Sequence, residues 1–396
     1  MSDESQLQIR PKDSDSSLSL SKARSSLIAR GRRDAAVVTK AVESPHLAMA
    51  KTLLKTLEEF GAPAVFDAPS VDGPSFIRFF VLLARGVKVG ALMSVLPKLQ
   101  IRMNLARVPI MSVSGGSVAI DVVRPDPEVV LFSEIRDQIA AGDPLLGSTR
   151  FPVGVDLRRR LVLADLSEQR HAHFLVAGTG GSGKSEWLRM AAASLIVTNT
   201  PETLRLMLID PRRVTFKEMD RSPYLLDGGP LLYTPEEAIN GLHRLIELME
   251  ERYRLFAEKG VTDLETLTRE GVAAPPRIVL FCDEYLDVAH NKHRDTIELA
   301  INQLGARARP TGIHLIITTV GAGREMIRGS SLANFPARVG LRMGEETSRL
   351  LLGQNGAEGL SGNGDLLFKD IGEPIHLQAP FLPEEEREAL FRGDKL

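Results

Sequence analysis

The sequence predicts an α/β fold built on a parallel sheet, and three observations carry that reading. Short apolar runs alternate with helix-forming stretches, the pattern that parallel sheets need for their crossovers. Candidate strands cover residues 174–177, 204–209, 278–282, 313–318 and 337–341. Two of these runs open onto polar or acidic tips, where open parallel sheets place their ligands. The first breaks directly into glycines and then into helix formers, so strand, turn and helix adjoin.

That turn reads Gly178-Thr179-Gly180-Gly181-Ser182-Gly183-Lys184-Ser185, followed by Glu186. It is G-x-x-x-x-G-K-S between a strand and a helix, the P-loop pattern in its required context. Glycines let consecutive backbone N–H groups converge on phosphate oxygens without a Cβ in the way. Lys184 is placed for the β- and γ-phosphates and Ser185 for Mg²⁺, and the helix N-terminus adds its positive dipole end. The expected ligands are ATP and Mg²⁺, with Gly178 to Glu186 as the nucleotide-binding residues.

Composition narrows the remaining classes. At 396 residues the chain can hold two or three domains. A net charge of −2 advertises no global nucleic-acid surface, so any such surface must be local. Cys282, the only cysteine, excludes an internal disulfide framework and a cysteine-based metal site. It is expected to act as a small buried hydrophobe. The polar N-terminus and short apolar stretches predict a soluble, cytoplasmic protein without membrane insertion.

Along the chain, residues 1–45 read as a disordered tail, rich in Ser and charge and poor in aromatics. Residues 46–142 read as a small α+β domain. It has a helix over 48–60, strands over 64–66, 75–83 and 118–123, and a helix over 131–141. Gly115-Gly116 marks a turn, and Ala141-Gly142-Asp143-Pro144 reads as the linker. Residues 143–396 form the parallel-sheet domain, with helices over 186–196 and 234–256. The second of these starts at Thr234-Pro235, an N-cap followed by proline at the first helical position.

The run 277–282 ends in Asp283 and Glu284. Downstream of a P-loop, the first carboxylate suits the Mg²⁺ side and the second suits activation of the attacking water. The run 313–318 ends in Thr318 and Thr319, which either sense γ-phosphate or water or simply fill a strand. Arg307 and Arg309 precede that strand. His171 and His173 have no acidic partners in the pattern, so metal binding is not expected. Trp187 is expected to pack, and Asp210-Pro211-Arg212 either faces nucleotide or turns the chain.

Taken in order, these residues resemble the motor region of the FtsK/SpoIIIE family of double-stranded DNA translocases. His173 to Ser185 resembles H-x-L-V-A-G-T-T-G-S-G-K-S, and Leu208-Ile209-Asp210-Pro211-Arg212 resembles the I-D-P-K segment. Met249-Glu250-Glu251-Arg252-Tyr253 is similar to M-E-x-R-Y, and Cys282-Asp283-Glu284-Tyr285 with Asp287 to V-D-E-F-x-D. Ala308-Arg309-Pro310-Thr311-Gly312-Ile313-His314-Leu315 resembles A-R-A-A-G-I-H-L. Gly356-Ala357-Glu358 and Gly362-Asn363-Gly364-Asp365 resemble G-A-E and G-M-G-D. Weaker echoes reach upstream through Gly73-Pro74 with Arg78 and Gly86-Val87-Lys88-Val89.

The resemblance implies a RecA-like P-loop NTPase motor domain in a homohexameric ring, with duplex DNA in the lumen and sites between subunits. It places Arg309, rather than Arg307, at the arginine-finger position. Asp283, Glu284, Arg309 and Thr319 are therefore the expected catalytic residues, with Ser185 and Asp283 on the metal. The family's A-T-Q-R-P reads Thr318-Thr319-Val320-Gly321-Ala322 here, so a sensor Gln and a lumen Arg are replaced. Glu345-Glu346 places acid where a Lys would precede Arg349. Arg324, Arg328 and Arg349 are the candidate DNA contacts. The chain ends soon after the motor, so a separate recruiting protein is expected. An ATP-driven duplex-DNA motor is the leading reading. A nucleotide-gated assembly ATPase or a polypeptide-threading ATPase of the same superfamily is the alternative.

Overall fold

The computed structural model describes residues 46–114, 117–139, 147–320 and 332–394. The expected tail, the Gly115-Gly116 turn, the linker at Ala141 to Pro144, the replaced Gly321-Ala322 pair, and Arg324 and Arg328 lie outside the described residues. Two compact units interleave in sequence. One takes residues up to 70, 79–103 and 112–120; the other takes 71–78, 104–111 and 121–396.

Helix α1 (Leu47–Glu59) buries Ala50, Leu53 and Leu57, which share one face at helical spacing. Strands β1 (Ala64–Asp72) and β2 (Phe76–Leu83) follow, and alternate β2 residues such as Phe79 and Val81 are fully buried. Helix α2 (Val89–Arg102) buries Leu92, Val95 and Leu99. The sequence reading does not anticipate α2, because Pro97 falls inside it and proline ordinarily ends a helix. With β3 (Ile110–Ser114) and β4 (Ser117–Val123), the strands order as β1–β2–β4–β3 among the described residues.

Beyond β4 comes α3 (Phe132–Arg136), shorter than the helix expected over 131–141. The Glu134 carboxylate turns back to accept the Leu131 N–H at 3.0 Å and ties its start. Strands β5 (Arg150–Val155), β6 (Leu161–Asp165) and β7 (His173–Ala177) lead into helix α4 (Lys184–Val197). Next come β8 (Leu204–Ile209), α5 (Pro235–Lys259), α6 (Leu264–Arg269) and β9 (Arg277–Cys282). In α5, the Thr234 hydroxyl accepts the Glu237 N–H at 3.2 Å while the Glu237 carboxylate accepts the Thr234 N–H at 2.9 Å. That reciprocal cap fixes where the long helix starts.

Helices α7 (Tyr285–Val288) and α8 (Arg294–Arg307) lead to β10 (Ile313–Thr319) and β11 (Ala337–Leu341). The chain then forms α9 (Glu345–Leu352), β12 (Asp365–Lys369), β13 (Ile375–Gln378) and α10 (Glu384–Arg392). Among the described residues, the sheet order is β6–β5–β13–β12–β11–β7–β10–β9–β8. β11, β7, β10, β9 and β8 are parallel, and these are the five strands the sequence predicts. Four antiparallel strands extend the sheet on the β11 side. Strand β7 is buried along its whole length between β10 and β11, as a strand covered on both faces must be. Its C-terminal end therefore opens at mid-sheet, with Ala177 level with Thr319 and Gly340.

Candidate nucleotide site

Residues 178–183 join β7 to α4. The Gly178 N–H donates to the Thr319 carbonyl at 3.2 Å and the Thr179 N–H to that of Arg342 at 2.8 Å, so the loop hangs between the tips of β10 and β11. Gly183 needs to be glycine twice over. Its φ is +109°, and a Cβ there would stand 2.7 Å from the Gly364 nitrogen. Lys184 heads α4 and is 7% exposed. Its Nζ donates to the carbonyls of Gly178 at 2.8 Å and Thr179 at 3.3 Å, and burial draws its pKa below the usual lysine range. Ser182 Oγ is buried and has no hydrogen-bond partner among the described residues. Glu186, one residue beyond Ser185, pairs with Arg189.

Strand β9 delivers Asp283 and Glu284 beside this loop. Asp283 Oδ2 accepts from Ser185 Oγ at 3.2 Å and from the Thr215 hydroxyl, and Oδ1 accepts from Thr318 Oγ1 at 2.7 Å. Glu284 is 3% exposed and sits at φ 53°, ψ 69°, a conformation that costs a side-chain-bearing residue on the order of 1–3 kcal/mol. Its N–H donates to Thr318 Oγ1 at 2.9 Å, and its Oε1 accepts the Val320 N–H at 2.7 Å. Oε2 faces Lys184 Nζ at 4.0 Å and Arg212 at 3.7 Å. Burial raises the Glu284 pKa against the opposing pull of Lys184.

Thr318 is thus the hydroxyl that ties the two acidic residues together. Thr319 is fully buried and gives its carbonyl to the loop. Val320, which stands in place of the sensor Gln, holds Glu284 through its backbone N–H. Thr215 was not expected here, whereas Arg212 lines the cavity, one of the two readings open for Asp210-Pro211-Arg212. They lie after β8 on a segment folded back by the Phe216 N–H to Asp210 Oδ2 bond at 2.9 Å. Arg189 fixes the same segment through the carbonyls of Thr215 and Val214, each at 2.8 Å. The only sequence signal was Asp210-Pro211-Arg212, because a hydroxyl in an irregular loop carries no pattern.

These groups line a cavity of about 610 Å³. Its lining includes the loop, Lys184, Ser185, Asp283, Glu284 and Arg212, together with the apolar Val129, Pro380 and Phe381. The residues fit a magnesium nucleotide. Nothing lies within 4 Å of where a Cβ would stand on Gly180 or Gly181, leaving their backbone open to phosphate. Ser185 and Asp283 supply the hydroxyl and carboxylate that P-loop sites give to Mg²⁺. Trp187 is among the lining residues, but its side chain is fully buried, with its indole N–H on the Val153 carbonyl at 2.9 Å.

Arg309 lies elsewhere. It begins a single turn before β10, whereas the carboxylates and the loop sit at the C-terminal tips of the strands. The seven-residue β10 separates the two ends by about 20 Å. There Arg170, Arg307 and Arg309 share a second cavity of about 850 Å³ with His173 and Asp370. Arg307 pairs with Glu250, and Arg170 with Glu168 and Asp370. Among the described residues Arg309 has no carboxylate partner and donates to the Ser167 carbonyl at 3.2 Å. Burial, with Arg309 adding to it, pushes His173 down to about 3, which keeps it neutral. Arg349 is exposed on α9 and paired with Glu345 at 3.2 Å.

A buried charge cluster supports the loop from beneath. His376 on β13 contacts Asp121 Oδ2 at 2.9 Å and Asp365 Oδ1 at 2.6 Å, and its ring stacks on Phe76 with centroids 3.6 Å apart. Arg78 grips both oxygens of Asp121 at 2.6 Å. Asp365 closes the turn whose Gly364 N–H donates to the Ser182 carbonyl at 3.2 Å. Burial opposes a charge on His376, but Asp365 and Asp121 outweigh it and lift the pKa to about 9. The folded value lies above the unfolded one, so this contribution is complete below about pH 6.5 and is lost as pH rises through 9. His376→Ala, which leaves the buried Asp365 without its cation, should cost about 3–5 kcal/mol. Chemical denaturation at pH 7 and 9.5 should show the gap between variant and wild type narrowing at the higher pH. An equal gap at both would show that the imidazole carries no charge in the fold.

Residues 146–281 match the model of the FtsK/SpoIIIE family. The chain is 32% identical over 352 residues to the DNA translocase FtsK of Lactococcus lactis subsp. cremoris, covering 85% of this chain and 46% of that protein. The chain belongs to the FtsK/SpoIIIE family. A second FtsK/SpoIIIE relative, the DNA translocase FtsK of Caldanaerobacter subterraneus subsp. tengcongensis, is 31% identical over 375 residues, 89% of this chain and 51% of that one. The chain thus spans about half the length of these relatives. The FtsK/SpoIIIE fold seen here is shared with the pCW3 conjugation coupling protein TcpA, at TM-score 0.58 and 18% identity over 86% of this chain and 98% of that one. EssC (ATPases 2 and 3) from Geobacillus thermodenitrificans shares it at TM-score 0.56 and 18% identity, over 68% and 51%. No described helix is long and apolar enough to cross a membrane.

Proposed function

We propose that this chain is an ATP-hydrolysing motor that moves double-stranded DNA through a homohexameric ring in the cytoplasm, brought to its substrate by a separate recruiting protein. The observation that supports it most is the joining of one ordered site to 32% identity along 85% of the chain with a DNA translocase. Gly178 to Glu186 cradle the phosphates of ATP, and Lys184 neutralises their charge. Ser185 and Asp283 would hold Mg²⁺, which when bound would supply charge stabilisation at the phosphates. Glu284 takes the proton of the attacking water, Thr318 holds both acidic residues in register, and Thr319 anchors the loop behind them. Arg309 reaches the site of the neighbouring subunit, and its distance from its own loop supports that assignment. Arg324, Arg328 and Arg349 contact the DNA backbone.

ATP turnover measured with and without long duplex DNA, across a salt series, tests this reading. Duplex should raise turnover, and its apparent affinity should fall steeply with salt as counterions are released. Rings that bind ATP but show no response to duplex at low salt would exclude DNA as the substrate. A response to unfolded polypeptide instead would favour the protein-threading alternative.

A further inference from the structure

The order of the sheet sets the direction in which a nucleotide lies. The glycine-rich loop follows β7, and Asp283 and Glu284 follow β9, which stands beyond β10 on one side of it. With the γ-phosphate beside Glu284, the nucleoside lies away from β9, on the side of β11, β12 and β13. Two residues from that side line the cavity: Asn363, in the turn before β12, and Phe381, just after β13. The Ala379 N–H donates to the Gly364 carbonyl at 2.8 Å and holds the two segments together.

Asn363 is exposed, with φ 53°. Its backbone carbonyl accepts from Gln378 Nε2 at 2.9 Å, but its side-chain amide has no partner among the described residues. Other polar side chains of the lining are tied to the protein. The Thr179 hydroxyl donates to the Arg342 carbonyl, Ser185 and Thr215 donate to Asp283, and Glu186 pairs with Arg189. Phe381 keeps 43% of its surface exposed, yet its backbone is clamped. Its N–H donates to the Val130 carbonyl at 2.7 Å, and its carbonyl accepts the Phe132 N–H at 2.8 Å. The exposed Val129 lines the cavity beside that clamp. In the G-M-G-D pattern position 363 is Met, whose thioether has no hydrogen to donate.

We propose that Asn363 and Phe381 form the base subsite, the Asn363 amide pairing with the exocyclic amine and N7 of adenine and Phe381 covering the face of the ring. The proposal rests on the reading of this cavity as a nucleotide site. An amide presents an acceptor and a donor side by side, which matches that edge of adenine. Guanine offers two acceptors there, O6 and N7, and leaves the amide half paired. Stacking on an aromatic ring tolerates any base, so Phe381 supplies affinity and Asn363 supplies choice. Were Asn363 needed only for its left-handed backbone, glycine would serve equally well.

Dissociation constants by isothermal titration, in EDTA so that ATP is not hydrolysed, separate these roles. The ligands are ATP, the triphosphate of purine riboside, which lacks the exocyclic amine, and inorganic tripolyphosphate, which lacks the nucleoside. Wild type should bind ATP about tenfold tighter than the purine riboside compound. Asn363→Gly should bring ATP down to the level of that compound and leave the other two ligands unchanged. Phe381→Ala should weaken both nucleotides alike, about tenfold, and leave tripolyphosphate unchanged. A wild type without the preference, or an Asn363→Gly variant that keeps it, overturns the proposal. An equal loss of all three ligands in Asn363→Gly overturns it too and makes Asn363 a support of the loop. A wild type that binds none of the three, even with Mg²⁺ present, sinks the nucleotide reading and the subsite together. Selective ATP binding through Asn363 without hydrolysis would sink the motor reading and leave the subsite standing.

Discussion

Arg309→Ala is expected to keep ATP affinity and lose about 10³–10⁵ in hydrolysis rate, the range measured for arginine fingers that stabilise transition-state charge. Within its own subunit Arg309 cannot do this, because β10 separates it from Lys184 and Glu284. It stands on an arginine-rich cavity, and among the described residues it lacks the carboxylate partner that occupies Arg307 and Arg170. A guanidinium tied only to a carbonyl at 3.2 Å is free to turn to phosphate at small cost. Mixing Arg309→Ala with Lys184→Ala subunits should restore a fraction of the activity. In mixed rings some interfaces join an intact loop to an intact finger. No recovery in rings shown to be mixed would mean that Arg309 acts structurally, and Arg307 or Arg342 would replace it as the candidate.

The second large effect belongs to Glu284. Glu284→Gln should bind ATP as tightly as wild type and hydrolyse it about 10²–10⁴ times more slowly, the usual worth of a positioned base. The amide keeps the shape of the side chain and can still accept the Val320 N–H. It cannot take a proton. Removing a carboxylate 4.0 Å from Lys184 also removes a competitor for that cation, so affinity should not fall. Isothermal titration with a slowly hydrolysed analogue, beside steady-state turnover, separates the two quantities. Near-normal turnover would move the base elsewhere, Asp287 being the nearest carboxylate on α7.

The sequence by itself determined the parallel core and the chemistry at its tips. Five apolar runs, buried along nearly all their length in the fold, could be read because a strand covered on both faces shows mostly apolar residues. Gly183-Lys184-Ser185 and Asp283-Glu284 were legible because phosphate and metal dictate residue type and spacing together. Strand β13 was not legible. Its buried His376 and Gln378 look like loop residues, and only Asp121, far off in the chain, and Asp365, on the neighbouring strand β12, make an imidazolium tolerable there. Helix α2 was hidden by Pro97, whose cost is met by burying Leu92, Val95 and Leu99. Thr215 and Arg212 reach the site only because Asp210 and Arg189 fold their segment back. Such contacts follow from where distant segments meet, and no local pattern records that.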